Sequence, residues 1–318
     1  KVKLFKVFGE PMIDVRLFAS EKHSYLLINF HHIIMDGSSM QIIFTSLAKA
    51  YAGEVLPLDT YYSYLEDEKI YRDSEEFKKS LKFFDDRYGG DDWCRNIEPD
   101  KVEQGNTNEV IFIPANFTPE NMSRLEKSGQ ISKNGIVIAI AQLALAKLTD
   151  REKVLVTSTF HYRMDERKQA VGSLIVRTLP IGLEVSKVHT VKELYDSIRK
   201  QSLDAIANCD CDWVEEKERP FETDALPVVY ETASITGAEF LAKLGASMEP
   251  VPTMNKSALQ RTMLQVFERP DSVTVQFSYM GTIYSRELIE RFSKIFCDIA
   301  DTLVNAEAPE NILISDLL

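Results

Sequence analysis

The chain has 318 residues, of which 44% are hydrophobic and 27% are charged, and its formal net charge is −12. This length is too great for one small core and predicts two lobes of ordinary domain size in a soluble globular protein. The acidic balance argues against nucleic acid as the main partner. No apolar run approaches the roughly 20 residues that a membrane span needs, and the first residues lack a signal-peptide pattern, so we expect no membrane association.

Residues 2–8, 12–19 and 24–30 read as three strands that lead into a helix at 38–52. The second strand partly alternates polar and apolar residues, and short polar turns separate the strands. The helix has apolar residues near helical spacing and is expected to end at Gly53.

Two adjacent histidines stop the third strand abruptly and are followed by a carboxylate and a glycine: His31, His32, Asp36 and Gly37. Histidine can take or give a proton near neutrality. Neighbouring strand residues point to opposite faces, so we expect one histidine to face a substrate and the other to support the fold. Asp36 is expected to orient the imidazole or to anchor the loop through a buried ion pair. Gly37 is expected to permit a positive φ or a close backbone approach.

The next stretch predicts two helices, at 60–67 and 74–88, the second capped by Ser74. Its aromatic residues are interpreted as packing of a helical face rather than as a ligand cage. Residues 100–108 are polar and have linker composition. We therefore place the lobe boundary after residue 104, so that residues 1–104 carry the histidines and residues 105–318 form the second lobe.

The second half predicts strands interleaved with helices. The strands are predicted at 109–115, 153–160, 174–185, 227–235, 262–268 and 272–280, and the helices from 118, at 135–148, 190–207 and 285–306. The helix at 135–148 is apolar on all sides and is expected to be buried, and Thr190 with Glu193 predicts a capping box. The strand at 153–160 reaches a second polar corner, His161-Tyr162-Arg163. This interleaving predicts an α/β or α+β sandwich in each lobe.

The four cysteines predict no metal centre. Cys209 and Cys211 form a C-x-C pair without a second pair of matching spacing, and Cys94 and Cys297 are scattered, so we expect no zinc site. Reduced thiols in a cytoplasmic protein are the simplest interpretation. The sequence has no glycine-rich phosphate loop, so we also expect no bound nucleotide.

The run His31-His32-Ile33-Ile34-Met35-Asp36-Gly37 resembles the His-His-x-x-x-Asp-Gly signature of nonribosomal peptide synthetase condensation domains, which belong to the chloramphenicol acetyltransferase-like superfamily. Later segments resemble the family in the same order: Pro99-Asp100, Val171-Gly172 with Arg177-Thr178-Leu179-Pro180, and Phe277-Ser278-Tyr279 with Ile283-Tyr284-Ser285. The resemblance implies an α/β (α+β sandwich) fold with two chloramphenicol acetyltransferase-like lobes in a V.

Several positions depart from the family pattern. Arg177 stands where the family often has asparagine, one residue further from Gly172, and Gly182 occupies the place of a common arginine. The family's His-Gln-Asp-Tyr-Pro-Phe-Glu segment is at best echoed by residues 219–222. The family carries a substantial segment before its histidine motif, including Arg-His-Glu-x-Leu-Arg. Because the motif begins here at residue 31, we expect the first lobe to be incomplete.

The resemblance implies amide-bond formation, in which a carrier-bound aminoacyl amine attacks a carrier-bound acyl or peptidyl thioester. The partners are then donor and acceptor peptidyl carrier proteins or domains, whose phosphopantetheine arms are substrates, and the chain is a monomer within a larger multidomain protein with no bound cofactor or metal. His32 is the expected reacting-site residue, as a base or as a group that holds the amine and stabilises the developing ammonium. The N–H of Gly37 is proposed to stabilise an oxyanion. His31 is assigned to the fold, and Asp36 is expected to pair with an arginine of the other lobe, Arg163 first and Arg177 second.

Two of four alternative functions remain open, and the other two agree less well with the sequence. An epimerization domain shares the histidine motif but resembles Glu-Gly-His-Gly-Arg where residues 159–163 read Thr-Phe-His-Tyr-Arg. A heterocyclising variant would carry aspartates in place of the first histidines and therefore does not fit this sequence. A free-standing acyltransferase would use a soluble thioester with an alcohol or amine. A non-catalytic domain that recruits carrier proteins would retain the fold without the reaction.

Overall fold

A computed structural model describes residues 5–6, 8–56, 61–90, 92–211, 213, 225–232, 242, 245–247, 258 and 260–318. Its strands are β1 Ile13–Ala19, β2 Ser24–Phe30, β3 Asn108–Ile113, β4 Lys153–Phe160, β5 Arg177–Glu184, β6 Leu226–Thr232, β7 Thr262–Arg269 and β8 Ser272–Met280. Its helices are α1 Gly37–Tyr51, α2 Tyr61–Arg72, α3 Glu75–Tyr88, α4 Pro119–Gly129, α5 Lys133–Thr149, α6 Glu166–Gln169, α7 Val191–Ala207 and α8 Arg286–Asn305. The mixed α/β class predicted from the sequence is confirmed.

The chain divides by compactness into two units. Unit 1 comprises Lys1–Tyr71, His161–Val176 and Ser234–Pro250, and unit 2 comprises Arg72–Phe160, Arg177–Ala233 and Val251–Leu318. This division does not coincide with the predicted boundary after residue 104. The polar stretch there is hydrogen-bonded within unit 2, where the N–H groups of Lys101 and Glu103 donate to the carbonyls of Ile283 and Thr282 at 3.1 and 3.0 Å.

Unit 1 is built on a β-hairpin and a helix. Strands β1 and β2 pair antiparallel, with Ile13 opposite Phe30 and Ala19 opposite Ser24, and the turn is closed by the Ser20 N–H donating to the His23 carbonyl at 2.9 Å. The chain leaves β2 through a short 3₁₀ turn, His32–Ile34, and then forms α1. The hairpin therefore delivers the histidine motif directly to the start of α1.

Unit 2 contains a six-stranded mixed sheet in the order β3-β8-β7-β6-β4-β5. Strands β4, β6 and β7 are parallel to one another, and the remaining pairs are antiparallel. Helix α5 packs against β4, β6, α7 and α8, and its residues from Gly135 to Ala146 are all buried. Because alanine, isoleucine and leucine occupy every side of this helix, it fills the core, as its composition predicts. Its one buried amide, Gln142, donates from Nε2 to the Ile181 carbonyl at 2.9 Å.

Two aromatic helices differ in what they bury. On α3, Phe84 and Tyr88 are buried and contact Trp213, whose indole N–H donates to Asp85 at 2.7 Å, so packing explains that helix. On α2, Tyr62 remains 77% exposed. The packing interpretation therefore holds for α3 and only partly for α2.

Most predicted elements match within a few residues, and two need comment. Of the strand predicted at 2–8, residues 5, 6 and 8 lie outside any strand, and the others lie outside the described residues, as do residues 219–222 and 233–235. Thr190 caps α7 as predicted, but the Glu193 carboxylate accepts from the N–H of His189 rather than from that of Thr190.

Within the described part of the chain, no single helix is long and apolar enough to cross a membrane. Helices α4 and α5 meet this length and composition only when they are taken together, and a bend of 87° separates them.

Candidate active site

The histidine pair lies where β2 gives way to the 3₁₀ turn. His31 keeps extended dihedrals (φ −79°, ψ 134°), and its N–H donates to the Met12 carbonyl at 2.9 Å, which extends the hairpin by one residue. His32 already belongs to the turn, which closes when the Met35 N–H donates to the His32 carbonyl at 3.1 Å. Strand alternation therefore does not govern His32, contrary to the sequence argument, because the chain leaves the strand between the two histidines.

The imidazole of His31 faces its own turn. Its Nδ1 accepts a hydrogen bond from the Ile33 N–H at 3.1 Å, and its ring meets the Phe5 ring edge-on at 6.2 Å between centroids. In the neutral imidazole this hydrogen bond places the proton on Nε2. His31 is thus engaged in holding the turn that begins at His32.

The side chain of His32 is exposed and makes no hydrogen bond to the residues that the structure describes. An exposed imidazole on an anchored turn can exchange a proton with a bound molecule or accept a hydrogen bond from it. The turn fixes the backbone position of His32. Its imidazole is free to form a hydrogen bond with solvent or with a bound molecule.

Asp36 is the anchor of the motif. It is 5% exposed and caps α1, and its Oδ1 accepts the Ser39 N–H at 2.8 Å. Its Oδ2 accepts from Arg163 Nη1 at 3.0 Å and from the Ile175 N–H at 3.1 Å. Among the described residues no imidazole donates to this carboxylate. Of the two roles expected for Asp36, the geometry supports the anchor of a buried ion pair.

Arg163 completes the cluster from a distant part of the chain. Its side chain is 6% exposed, and its Nη2 donates to the hydroxyl of Ser39 at 3.1 Å and to the carbonyls of Val171 and Ser173 at 3.0 and 2.9 Å. Both Asp36 and Arg163 belong to unit 1, although the sequence argument placed the arginine in the other lobe. The reason is that residues 161–176 group with the hairpin and α1. Arg177, the second candidate, is the first residue of β5 in unit 2.

Burial and hydrogen bonding act in opposite directions on the pKa of Asp36. Burial raises this pKa, but the hydrogen bonds from Arg163, Ile175 and Ser39 outweigh it and hold the pKa below its ordinary value of 3.8. The carboxylate is therefore ionised at neutral pH, and both of its oxygens are occupied by donors. Such a group holds structure and is poorly suited to take a proton from a substrate.

Of the two roles expected for Gly37, the structure excludes the positive φ. Gly37 is the first residue of α1 and does not adopt a positive φ, so the prediction of left-handed backbone is wrong: the Asp36 cap already turns the chain into the helix. A Cβ built on Gly37 would meet no described atom within 4 Å apart from its chain neighbours and the adjoining backbone of α1. The described chain therefore has no steric need for glycine here, which leaves the close backbone approach of a ligand as the expected reason.

Sequence reasoning missed three members of the cluster. Ser39 follows Asp36 by three residues, and its hydroxyl lies 2.8 Å from Asp36 Oδ1 and 2.7 Å from the Ser173 carbonyl. The Asp-x-x-Ser spacing is a capping signal that was available in the sequence. Ser173 and Ile175 contribute a carbonyl and an N–H from more than 130 positions away, and no local pattern indicates such contacts.

Comparison with known proteins agrees with this fold and motif. The fold is similar to that of the X-domain solved in complex with OxyB from teicoplanin biosynthesis (TM-score 0.74, 17% identity, 99% of this chain and 74% of that one). It is also similar to the first condensation domain of the calcium-dependent antibiotic synthetase (TM-score 0.65, 16% identity, 96% and 70%). The sequence pattern of the Condensation domain family matches residues 1–310, so the chain belongs to the condensation domain family.

Curated relatives are much longer than this chain. Surfactin synthase subunit 1 of Bacillus subtilis (strain 168) is 23% identical over 314 residues, which cover 95% of this chain and 9% of the relative. Gramicidin S synthase 2 of Brevibacillus brevis is 22% identical over 320 residues, covering 95% and 7%. The chain thus spans less than a tenth of the length of these relatives.

Proposed function

We propose that this domain forms an amide bond within a nonribosomal peptide synthetase. The observation that carries the proposal is the exposed imidazole of His32, held on a turn that the buried Asp36–Arg163 pair anchors at the start of α1. Membership of the condensation domain family supports it independently. The resemblance of the motif to that of condensation domains supports amide-bond formation as the reaction class.

The reaction joins two carrier-bound groups. The amine nitrogen of the acceptor attacks the thioester carbonyl carbon of the donor, a C–N bond forms, the C–S bond breaks, and the sulfur leaves as a thiol after taking up the proton that the amine loses. His32 is the residue that contacts the reacting amine, as the base that removes this proton or as the group that positions the amine and stabilises the ammonium. The phosphopantetheine arms belong to the donor and acceptor carrier proteins and are substrates, so the domain needs no bound cofactor.

Gly37 is proposed to let the carbonyl group of the thioester approach its backbone N–H. Apart from its chain neighbours and the adjoining backbone of α1, no described atom lies within 4 Å of the position that a Cβ would occupy, so this side of the Gly37 backbone is open to a substrate. An N–H at the first position of a helix has no intrahelical acceptor and adds the positive end of the helix dipole. It is therefore a suitable donor for an oxyanion at the attacked carbon.

The test is transfer between a loaded donor carrier and a loaded acceptor carrier, followed by intact-protein mass spectrometry. We expect the native domain to move the donor chain to the acceptor and His32→Ala to abolish transfer while its circular dichroism spectrum and melting temperature stay native. His23→Ala is the matched control, because this exposed histidine lies at the opposite end of β2. We expect it to retain native transfer.

Other outcomes distinguish the remaining functions. Acyl transfer to a soluble amine or alcohol, without transfer between carriers, would identify a free-standing acyltransferase. Tight carrier binding without any transfer by the native domain would identify a recruiting domain, a role for which the structural similarity to the X-domain solved with OxyB provides a precedent of complex formation. Full activity of His32→Ala would remove this residue from the reaction.

A further inference from the structure

Two histidines of unit 1 make the same local contact. The Nδ1 of His31 accepts the N–H of Ile33 at 3.1 Å, and the Nδ1 of His161 accepts the N–H of Arg163 at 3.0 Å. In each case the imidazole follows a strand directly and accepts from the backbone two residues further on. His31 thereby fixes the turn that carries His32, and His161 fixes the turn that carries Arg163.

The contact of His161 satisfies a backbone donor that the chain buries. Arg163 is 7% exposed, and the described residues offer its N–H no acceptor other than His161 Nδ1. A buried N–H without an acceptor is strongly unfavourable, so the imidazole stabilises this conformation of the turn. The His161 carbonyl also accepts from Arg163 Nη1 at 3.2 Å, so His161 contacts the arginine from both its side chain and its backbone.

Tyr162, the residue between His161 and Arg163, has a backbone conformation that is unfavourable for its residue type. Tyr162 has φ +55°, a left-handed conformation that is rare for an aromatic residue. It is nevertheless 5% exposed, and the Lys168 Nζ lies 4.0 Å from the centroid of its ring. Strained backbone of this kind persists only where surrounding contacts determine it, and the His161 imidazole is one of those contacts.

We infer that His161 is a positioning residue: it holds Arg163 in place for Asp36 and so fixes the turn that carries His32. A continuous series of contacts connects His161 with the turn of His32. His161 fixes the Arg163 backbone, Arg163 pairs with Asp36, and the Ser173 hydroxyl, next to the carbonyl that Arg163 binds, donates to the Ile34 carbonyl at 3.3 Å at the end of the His32 turn. The catalytic part of this inference rests on the proposed function, whereas the part that concerns Arg163 does not.

The test compares two replacements of His161 in the full chain. His161→Asn keeps an acceptor, because Oδ1 of asparagine occupies the place of Nδ1, while it removes the imidazole. His161→Leu keeps comparable volume and removes the acceptor. Hydrogen exchange of the Arg163 amide is measured first, since it needs no substrate. We expect slow exchange in the native chain and in His161→Asn and faster exchange in His161→Leu.

Carrier-to-carrier transfer is measured second. We expect His161→Leu to lower kcat by about 10- to 100-fold with little change in KM for the acceptor, because a displaced turn misplaces His32 without removing it. His161→Asn should restore kcat close to the native value. Two results would overturn the inference. One is a loss of kcat in His161→Asn equal to that in His161→Leu, since the imidazole itself would then be required. The other is an unchanged exchange rate of the Arg163 amide in His161→Leu. If the native chain shows no transfer, the proposed function fails, while the exchange measurement still decides the role of His161.

Discussion

Asp36 illustrates how one buried carboxylate organises the motif. Its Oδ1 is occupied by Ser39, and its Oδ2 is occupied by Arg163 and the Ile175 N–H. Burying an ion costs several kcal/mol, and this cost is offset only when the pair is well aligned and the remaining lone pairs are satisfied. Both oxygens of Asp36 have donors, whereas Nε of Arg163 is buried without a hydrogen-bond partner among the described residues. The carboxylate side of the pair is thus fully satisfied, and Asp36 holds the start of α1 directly after the turn that carries His32.

Asp36→Asn is expected to destabilise the fold by about 3–5 kcal/mol at neutral pH, because the buried guanidinium of Arg163 loses its counter-charge. The pH dependence has a defined sign. The pKa of Asp36 is lower in the folded than in the unfolded state, so the unfolded chain binds more protons in that range, and the ion pair adds stability above pH 3.8, the ordinary value. This contribution is lost as the pH falls through the lowered pKa.

Urea denaturation of the native chain and of Asp36→Asn, from pH 7 down to pH 2, measures this contribution as a difference. The difference in free energy of unfolding should shrink towards acid pH, because the protonated carboxyl group of the native chain is then as neutral as the amide. A difference that stays constant over the whole range would contradict the assignment to the charge of Asp36.

At the residue level, the sequence was informative about Asp36 and less so about its surroundings. The pairing with Arg163 was predicted because a buried carboxylate in such a turn needs a cation, and the structure contains that pair. The acceptor role of the Ser173 carbonyl was not predictable, because backbone groups carry no residue-specific signal. The positive φ that was one expectation for Gly37 is absent, because the N-cap Asp36, a role that the sequence argument did not give it, already turns the chain into α1.

The bounds of strands and helices were predictable where a run of apolar residues ends at a distinct polar residue. Strands β2 and β4 were predicted with the bounds that the structure has, because each apolar run ends at a polar corner that begins with histidine. Helix α2 was predicted too short, at 60–67, because its C-terminal half lacks a regular apolar face. Tertiary contacts rather than local pattern decide where such a helix ends.

Replacing glycine by alanine is expected to affect stability differently in helix α1 and in strand β5. At Gly37, in the first turn of α1, the space around Cβ is open, so Gly37→Ala should leave stability unchanged or raise it by about 0.4–1 kcal/mol through the unfolded chain. At Gly182, inside β5, a Cβ would lie 2.8 Å from the Trp93 ring and 3.0 Å from the Tyr88 ring. Gly182→Ala should therefore cost about 1–3 kcal/mol.

Thermal or urea unfolding measures both variants, and the transfer assay separates them further. We expect Gly37→Ala to be stable yet slow in transfer if the substrate approaches its N–H, whereas Gly182→Ala should lose stability first. Native transfer by Gly37→Ala would refute the proposed approach, and a stable Gly182→Ala would show that the two rings move aside.

At the scale of the whole molecule, composition did not reveal the division into units. The polar stretch 100–108 has the composition of a linker but is hydrogen-bonded within unit 2, and unit 1 collects three separate stretches of chain. Grouping residues 161–176 with the hairpin depends on hydrogen bonds between positions far apart, such as those of Arg163 with Asp36 and Ser39. A single sequence gives no direct signal for contacts at that separation.

The fragment 1–71 is accordingly expected not to unfold cooperatively on its own, because Asp36 loses all of its partners from residues 161–176. Joining 161–176 to this fragment through a glycine-serine linker should increase its helical circular dichroism and the sharpness of its melting curve. The same fusion with Arg163→Met is the matched control and should resemble the bare fragment. Equal melting curves for all three would show that the arginine segment is dispensable for folding of this part.

The sequence separation of 127 between Asp36 and Arg163 also affects how parts of such domains can be exchanged. A hybrid gene spliced anywhere between these two codons takes its carboxylate from one parent and its guanidinium from the other. Such a hybrid works only when the second parent also presents an arginine, a serine carbonyl and a backbone donor in register. Splice points before residue 31 or after residue 175 instead transmit the histidines and the whole cluster as one heritable block, which makes them the safer junctions for domain engineering.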